Sequence, residues 1–201
     1  MSIRAVIFDL GGVIVRTEDR GPREQLAARS GLTYEQLSDL IFSSLTAQLA
    51  TIGKISIDEH WEYVCTTLKA PPEELGSIKD LFWAGDRVDS ALVDAIRSLR
   101  PRYQTGLLSN AWITLREALR DEWRIIDAFD VVIISAEAGM AKPDPRIFQL
   151  AVDQMKVRPD EAVFVDDFVE NIEAAAKMGL RTVRFLNSAQ ALADLQTILE
   201  E

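Results

Sequence analysis

The stretch Ala5-Val6-Ile7-Phe8-Asp9-Leu10-Gly11-Gly12-Val13 is an apolar run that ends in a lone carboxylate and two glycines. Four consecutive apolar residues fit a strand buried on both faces of a parallel sheet, and the glycines let the backbone turn sharply and come close to a ligand. In open α/β sheets ligands bind outside the carboxyl ends of the strands, so Asp9 at that place is a candidate nucleophile, metal ligand or both. Taken alone, the stretch reads more simply as a strand and a glycine turn whose aspartate bonds turn amides.

Working outward, four more segments read as strands: Thr105 to Leu108, Val131 to Ile134, Ala162 to Val165 and Thr182 to Phe185. Helical spacing separates them. Leu92, Ala95, Ile96 and Leu99 mark a crossover helix that stops at Pro101. Trp112, Leu115, Leu119 and Trp123 predict a helix with one broad apolar face, and Asp144 caps a helix that has Pro145 at its first position. A helix through Ile172 and Ala175 ends at Gly179, and Ala189 to Leu199 closes the chain. Strands alternating with helices predict an α/β fold, a Rossmann-like three-layer core with a parallel sheet covered on both faces.

Between the first strand and its crossover helix the pattern changes. Arg16 to Arg20 reads as a charged connector, and from Pro22 to about Phe82 the chain is helical throughout. Thr33 with Gln36 and Ser56 with Glu59 have capping-box spacing, Gly31 suits a helix end, and Pro71-Pro72 begins a last helix. The reading is an inserted all-helical bundle of four or five short helices.

With 201 residues the chain can build one sizeable core and an inserted subdomain. Its 48% apolar and 27% charged residues are those of a soluble globular protein. A formal charge of −10 argues against nucleic acid as a partner, because phosphate backbones are held by clustered Lys and Arg. It does not exclude a small phosphorylated ligand, which needs only a local pocket. The apolar run from Ala5 is too short for a signal peptide and no stretch approaches the ~20 residues of a membrane span, so the expected location is cytoplasmic. Cys65 is the single cysteine, which rules out an intrachain disulfide, and its spacing with Trp61, Val64 and Leu68 puts it on the apolar face of a helix as a buried thiol. His60, the single histidine, is expected at the surface or partly buried. Trp83, Trp112 and Trp123 are expected in the core or at a domain interface.

Asp166-Asp167 directly after a buried strand is the most informative pair beyond Asp9. Adjacent carboxylates there repel one another unless a cation or a donor offsets them, which favours a metal site over a simple helix cap. Lys142 lies in Gly139-Met140-Ala141-Lys142-Pro143-Asp144, too irregular for a helix. A lone loop lysine is ordinarily solvated surface.

Asp9, Ser109-Asn110, Lys142-Pro143 and Asp166-Asp167 nevertheless stand, in this order and across almost the whole chain, as the motifs of one family. The sequence resembles the haloacid dehalogenase superfamily, in its phosphatase-like branch with a helical cap. The resemblance implies a core domain of residues 1–16 and 86–201 and a cap domain of residues 17–85. It implies that Asp9 attacks phosphorus to form an aspartyl-phosphate, and that Mg²⁺ is held by the Asp9 carboxylate, the Gly11 carbonyl and the Asp167 carboxylate. Ser109 and the Asn110 backbone N–H, expected where a helix begins, would hold phosphoryl oxygens, and Lys142 would balance the charge of nucleophile and phosphate. Asp166 and Asn171 would support these groups from behind, and Arg16, Thr17 and Glu18, following the first motif, are candidates to face the substrate.

One departure stands out. Family phosphatases usually carry a second aspartate two residues after the nucleophile as general acid and base, and here that position is Gly11. General acid–base groups typically contribute about 10²–10⁴-fold. Some relatives with glycine here are nonetheless regarded as phosphatases, including those acting on sugar 1-phosphates, whose anomeric oxygen leaves more easily. The expected function is therefore a Mg²⁺-dependent phosphatase of a small phosphorylated metabolite, sugar phosphates included, with no nucleic acid or membrane partner. A regulatory phosphate-binding protein with little catalysis is the alternative, and the acidic pair disfavours a 2-haloacid dehalogenase, whose branch uses no metal. Monomer and homodimer are both open.

Overall fold

A computed structural model describes residues 2–201. The chain opens with β1 (Ala5–Phe8) and β2 (Val15–Thr17), then runs through five helices, α1 (Gly21–Arg29), α2 (Tyr34–Phe42), α3 (Leu45–Thr51), α4 (Ile57–Thr67) and α5 (Leu75–Trp83). It returns through β3 (Asp86–Val88) and α6 (Ser90–Ser98) to β4 (Gln104–Ser109), the short α7 (Leu115–Glu117), β5 (Val131–Ile134) and the short α8 (Ser135–Ala138). The last elements are α9 (Pro145–Gln154), β6 (Ala162–Asp166), α10 (Val169–Lys177), β7 (Arg181–Arg184) and α11 (Ser188–Glu200).

Five strands form one sheet in the order β5-β4-β1-β6-β7, every pair parallel. β1 lies in the middle because its four residues are apolar on both faces. Val6 and Phe8 pack with Leu92, Ile96 and Leu195 on one side, and Ala5 and Ile7 with Phe148, Ala151 and Ala175 on the other. The register pairs Phe8 with Leu107 and with Val165. That alignment brings Asp9, Ser109 and Asp166 to the same carboxyl edge of the sheet.

The five helices between β2 and β3 have an apolar cluster of their own, built on Leu26, Leu37, Ile41, Trp61, Val64, Ile78 and Phe82. Both predicted capping boxes form: Thr33 and Gln36 exchange side-chain and backbone bonds at the start of α2, as do Ser56 and Glu59 at the start of α4. At Pro71-Pro72 the chain makes a 3₁₀ turn over Pro72–Glu74 before α5 begins. Cys65 is buried in this cluster.

Three expectations change. Arg16 to Arg20 is not all connector, since Val15–Thr17 pairs antiparallel with Asp86–Val88 in a two-stranded ribbon that carries the chain into and out of the helical insert. The helix expected from Trp112 starts only at Leu115 and widens into a π-type turn over Ala118–Glu122, because Trp112 is drawn away into the aromatic cluster of the insert. His60 is fully buried rather than partly exposed: one ring nitrogen lies 2.9 Å from the Thr46 hydroxyl and the other 3.0 Å from the Ile41 carbonyl. Trp83, 38% exposed, is of the interface kind, since its ring meets Trp112 from outside the insert. Among the described residues no helix is long and apolar enough to cross a membrane.

Candidate active site

At the carboxyl edge of β1 the Asp9 amide donates to the Val165 carbonyl at 2.9 Å, so its side chain emerges beside Asp166 at the end of β6. Lys142 arrives from the loop before α9. Its Nζ donates to Asp9 Oδ1 at 2.6 Å and to Asp166 Oδ2 at 2.7 Å, and the ammonium is buried between them. The loop lysine is thus not on the solvated surface. Asp166 also accepts from the Phe168 amide at 2.8 Å and, with both oxygens, from Asn171 Nδ2 at 3.1 Å.

Asn110 has a further part, played by its side chain. No helix begins beside it, and its side chain locks the backbone of Lys142: Asn110 Nδ2 donates to the Lys142 carbonyl at 2.8 Å, and the Lys142 amide donates to Asn110 Oδ1 at 2.8 Å. An asparagine amide matches a peptide group donor for acceptor, which makes this pair a clamp between two loops. Ser109 is buried at the end of β4. The following Ala111 amide donates to the Ser135 hydroxyl at 2.9 Å, which keeps the segment out of helical geometry.

Asp167 completes the acidic group. Oxygens of Asp9, Asp166 and Asp167 lie within 4.8 Å of one another, and buried Asp167 Oδ1 has no hydrogen-bond partner among the described residues. An unpartnered buried carboxylate oxygen is costly and is the donor type that hard divalent cations take, so these residues fit such an ion. Glycine is required next to it. Gly12 has φ +81°, and a Cβ there would stand 2.3 Å from Asp167 Oδ2. Gly11 is different, since a Cβ added to it meets nothing within 4 Å and its φ is not in the left-handed region.

Three carboxylates face one ammonium. Burial pushes the Asp9 carboxyl up, Lys142 opposes this and Asp166 adds to it, with the balance at about 7. Burial, then the neighbouring Asp166, raises Asp167 as well. Burial alone would lower Lys142, but Asp9 and Asp166 outweigh it and hold the ammonium above its ordinary value. The site therefore carries a surplus of negative charge that a cation would offset.

Of the residues following the first motif, Arg16 Nη2 donates to Asp89 at 2.8 Å and the Thr17 hydroxyl to Asp86 at 2.7 Å. Both side chains hold the ribbon in place. The clamp by Asn110 left no mark in the sequence beyond its place after Ser109. Gly12 carried a weak one, as a glycine in a motif turn.

The sequence model of the haloacid dehalogenase-like hydrolases matches residues 3–179. Bifunctional epoxide hydrolase 2 of Sus scrofa is 27% identical over 219 residues, covering 98% of this chain and 39% of that relative, so the chain spans about two fifths of its length. D-ribitol-5-phosphate phosphatase of Bacteroides thetaiotaomicron is 30% identical over 206 residues, which cover 98% of each chain. In fold, the chain is similar to a solved family enzyme of Bacteroides thetaiotaomicron in complex with magnesium and inorganic phosphate, with TM-score 0.79, 21% identity and coverage of 96% of this chain and 99% of that one.

Proposed function

The chain belongs to the haloacid dehalogenase-like hydrolases, and from that premise we propose that it is a Mg²⁺-dependent phosphatase of small phosphate monoesters with Asp9 as nucleophile. The observation that carries the reading is the buried Lys142 between Asp9 and Asp166, with an unpartnered Asp167 oxygen beside them. It is supported by a relative whose name is that of a phosphatase and by one of similar fold solved with magnesium and phosphate.

Asp9, the Gly11 carbonyl and Asp167 would hold the ion. When bound, Mg²⁺ neutralises phosphoryl oxygens and lets a dianion approach the carboxylates. Asp9 then forms a bond to phosphorus while the bond to the leaving oxygen breaks, and that oxygen takes its proton from water. Water next attacks the phosphorus of the aspartyl-phosphate, releasing phosphate and restoring the carboxylate. Lys142 offsets charge on Asp9 throughout, held by Asn110 at its backbone and by Asp166 at its ammonium, with Asn171 behind Asp166. Ser109 holds a phosphoryl oxygen, and residues 17–85 act as a cap over the site.

Phosphate release from monoesters with Mg²⁺ tests this. Asp9→Asn is expected to lower turnover by about 10⁴-fold or more, as loss of a nucleophile does. Turnover unaffected by that change rejects the reading.

Gly11 favours a second reading, a phosphate-binding protein with slow turnover, because the position that usually supplies the proton has no side chain. The open space around Gly11 and its ordinary φ make Gly11→Asp a clean discriminator. The added carboxyl is expected to speed esters of poorly leaving alcohols by up to about 10²–10⁴-fold and good leaving groups far less. Phosphate bound by both proteins with turnover in neither would favour the second reading.

A further inference from the structure

We infer that the organic part of the substrate is apolar and ring-sized, so that the monoester taken is that of an aromatic or otherwise hydrophobic alcohol; this rests on the phosphatase reading above. Three of the four tryptophans gather with two phenylalanines at one place. Trp112 stacks on Phe42 with centroids 6.3 Å apart and planes at 18°, and meets Trp83 edge-on at 6.1 Å and Trp61 at 6.0 Å, while Phe82 packs on Trp83 at 4.8 Å.

The place matters more than the number of rings. All strands of the sheet are parallel, so the loops after β1, β4 and β6 leave the same edge, and the helical insert enters at that edge too. Trp112 lies three residues past Ser109, on the loop whose Asn110 clamps Lys142. Phe168 directly follows Asp167 and is 60% exposed. Phe42 and Trp83, at the ends of α2 and α5, keep 44% and 38% of their surface open. Phe42 and Trp83 both meet Trp112, so their open faces stand against the loop that carries Ser109 and Asn110, and aromatic faces left in water there are a surface for a ligand to cover.

The polar side chains packed among these rings are bonded by the insert and by the ribbon at its base. Arg23 Nε donates to the Phe82 carbonyl and its Nη2 to both Asp86 oxygens, and His60 is held by Thr46 and Ile41. A polyhydroxylated leaving group would need unpaired donors and acceptors there, whereas an apolar one needs the open ring faces.

The test compares 2-naphthylmethyl phosphate, methyl phosphate and ribitol 5-phosphate, all esters of primary alcohols, so leaving-group acidity does not dominate. With Mg²⁺, kcat/KM for the naphthylmethyl ester is expected to exceed the others by about tenfold or more. Phe42→Ala or Trp83→Ala should bring it down to the level of methyl phosphate, with circular dichroism confirming an intact fold. Equal or faster turnover of ribitol 5-phosphate, or ring truncations that lower all three esters together, overturns the apolar assignment and leaves the phosphatase reading standing. If no ester is turned over by the native protein or by Gly11→Asp, the phosphatase reading fails, and calorimetry with 2-naphthylmethylphosphonate against methylphosphonate decides the rest. Tighter binding of the naphthyl compound, lost in Phe42→Ala, supports the apolar surface, and equal or absent binding overturns it.

Discussion

Lys142 at the sheet edge and Arg23 in the helical insert are both buried cations held by aspartates, yet they differ in what is left over. Arg23 lies over the Phe82 ring at 4.1 Å and pairs with both oxygens of Asp86, which also accepts from Thr17. One cation meets one carboxylate, and the clasp ties α1 to the ribbon at the base of the insert. Lys142 meets two carboxylates at once, and a third, Asp167, stands beside them with an oxygen no donor reaches. A buried pair that closes on itself holds structure. A buried cluster with charge and lone pairs to spare is arranged for something that arrives later.

The contrast can be broken at its neutral end first. Asp86→Ala leaves the Arg23 guanidinium buried without its partner, which is expected to cost about 3–5 kcal/mol in urea denaturation. A loss below 1 kcal/mol, on the order of an exposed pair, would show that the clasp is dispensable.

Asp89 gives a second closed carboxylate whose behaviour with pH can be followed. Burial opposes its ionisation, but the Ser188 hydroxyl, the Arg16 guanidinium and the Leu92 amide outweigh that and bring it from 3.8 to about 2. Since the folded value is the lower one, the stabilisation is complete above pH 4 or so and is lost as pH falls toward 2. Relative to Asp89→Asn the native protein should be more stable by about 2 kcal/mol at neutral pH, with the gap closing across that acid window. A gap independent of pH from 6 to 2.5 would assign the effect to the hydrogen bonds alone.

The smallest effect sharpens the surplus end. Without added metal, Asp167→Asn should raise stability by about 1 kcal/mol, because it removes charge that nothing offsets. Millimolar Mg²⁺ should raise the melting temperature of the native protein and leave that of the variant unmoved. If the variant is instead less stable without metal, the Asp167 carboxylate is satisfied by the protein itself and the contrast with Asp86 disappears.

Much of this was legible from residue order. The inner strands of the main sheet fall on segments dominated by apolar residues, since a strand covered on both faces is apolar almost throughout, whereas the edge strand Arg181-Thr182-Val183-Arg184 buries only Val183. The starts of α2 and α4 were visible because a capping box is local, with both partners within three residues. Asp9, Lys142 and Asp166 meet in space as the resemblance to the family implied, although Lys142 read by itself is a loop lysine of the solvated surface. What was not legible depends on distant partners. Val15-Arg16-Thr17 has no strand pattern of its own and is extended because Asp86–Val88 lies against it. His60 is fully buried because Thr46 and Ile41, from other segments, satisfy its ring.

The sequence by itself determined the layered α/β core, the helical insert and the order in which chemically active residues reach one edge, because burial periodicity and capping act over a few neighbouring residues. Only the tertiary structure decided between Gly11 and Gly12. The two are indistinguishable as letters, but a Cβ on Gly12 would collide with Asp167, brought there by β6, while one on Gly11 meets open space. It likewise decided that Asn110 turns its side chain to Lys142 and that Trp112 joins the aromatic rings of the insert. Each of these depends on which distant atoms the fold brings within a few ångströms, and steric contact and hydrogen bonding act only at that range.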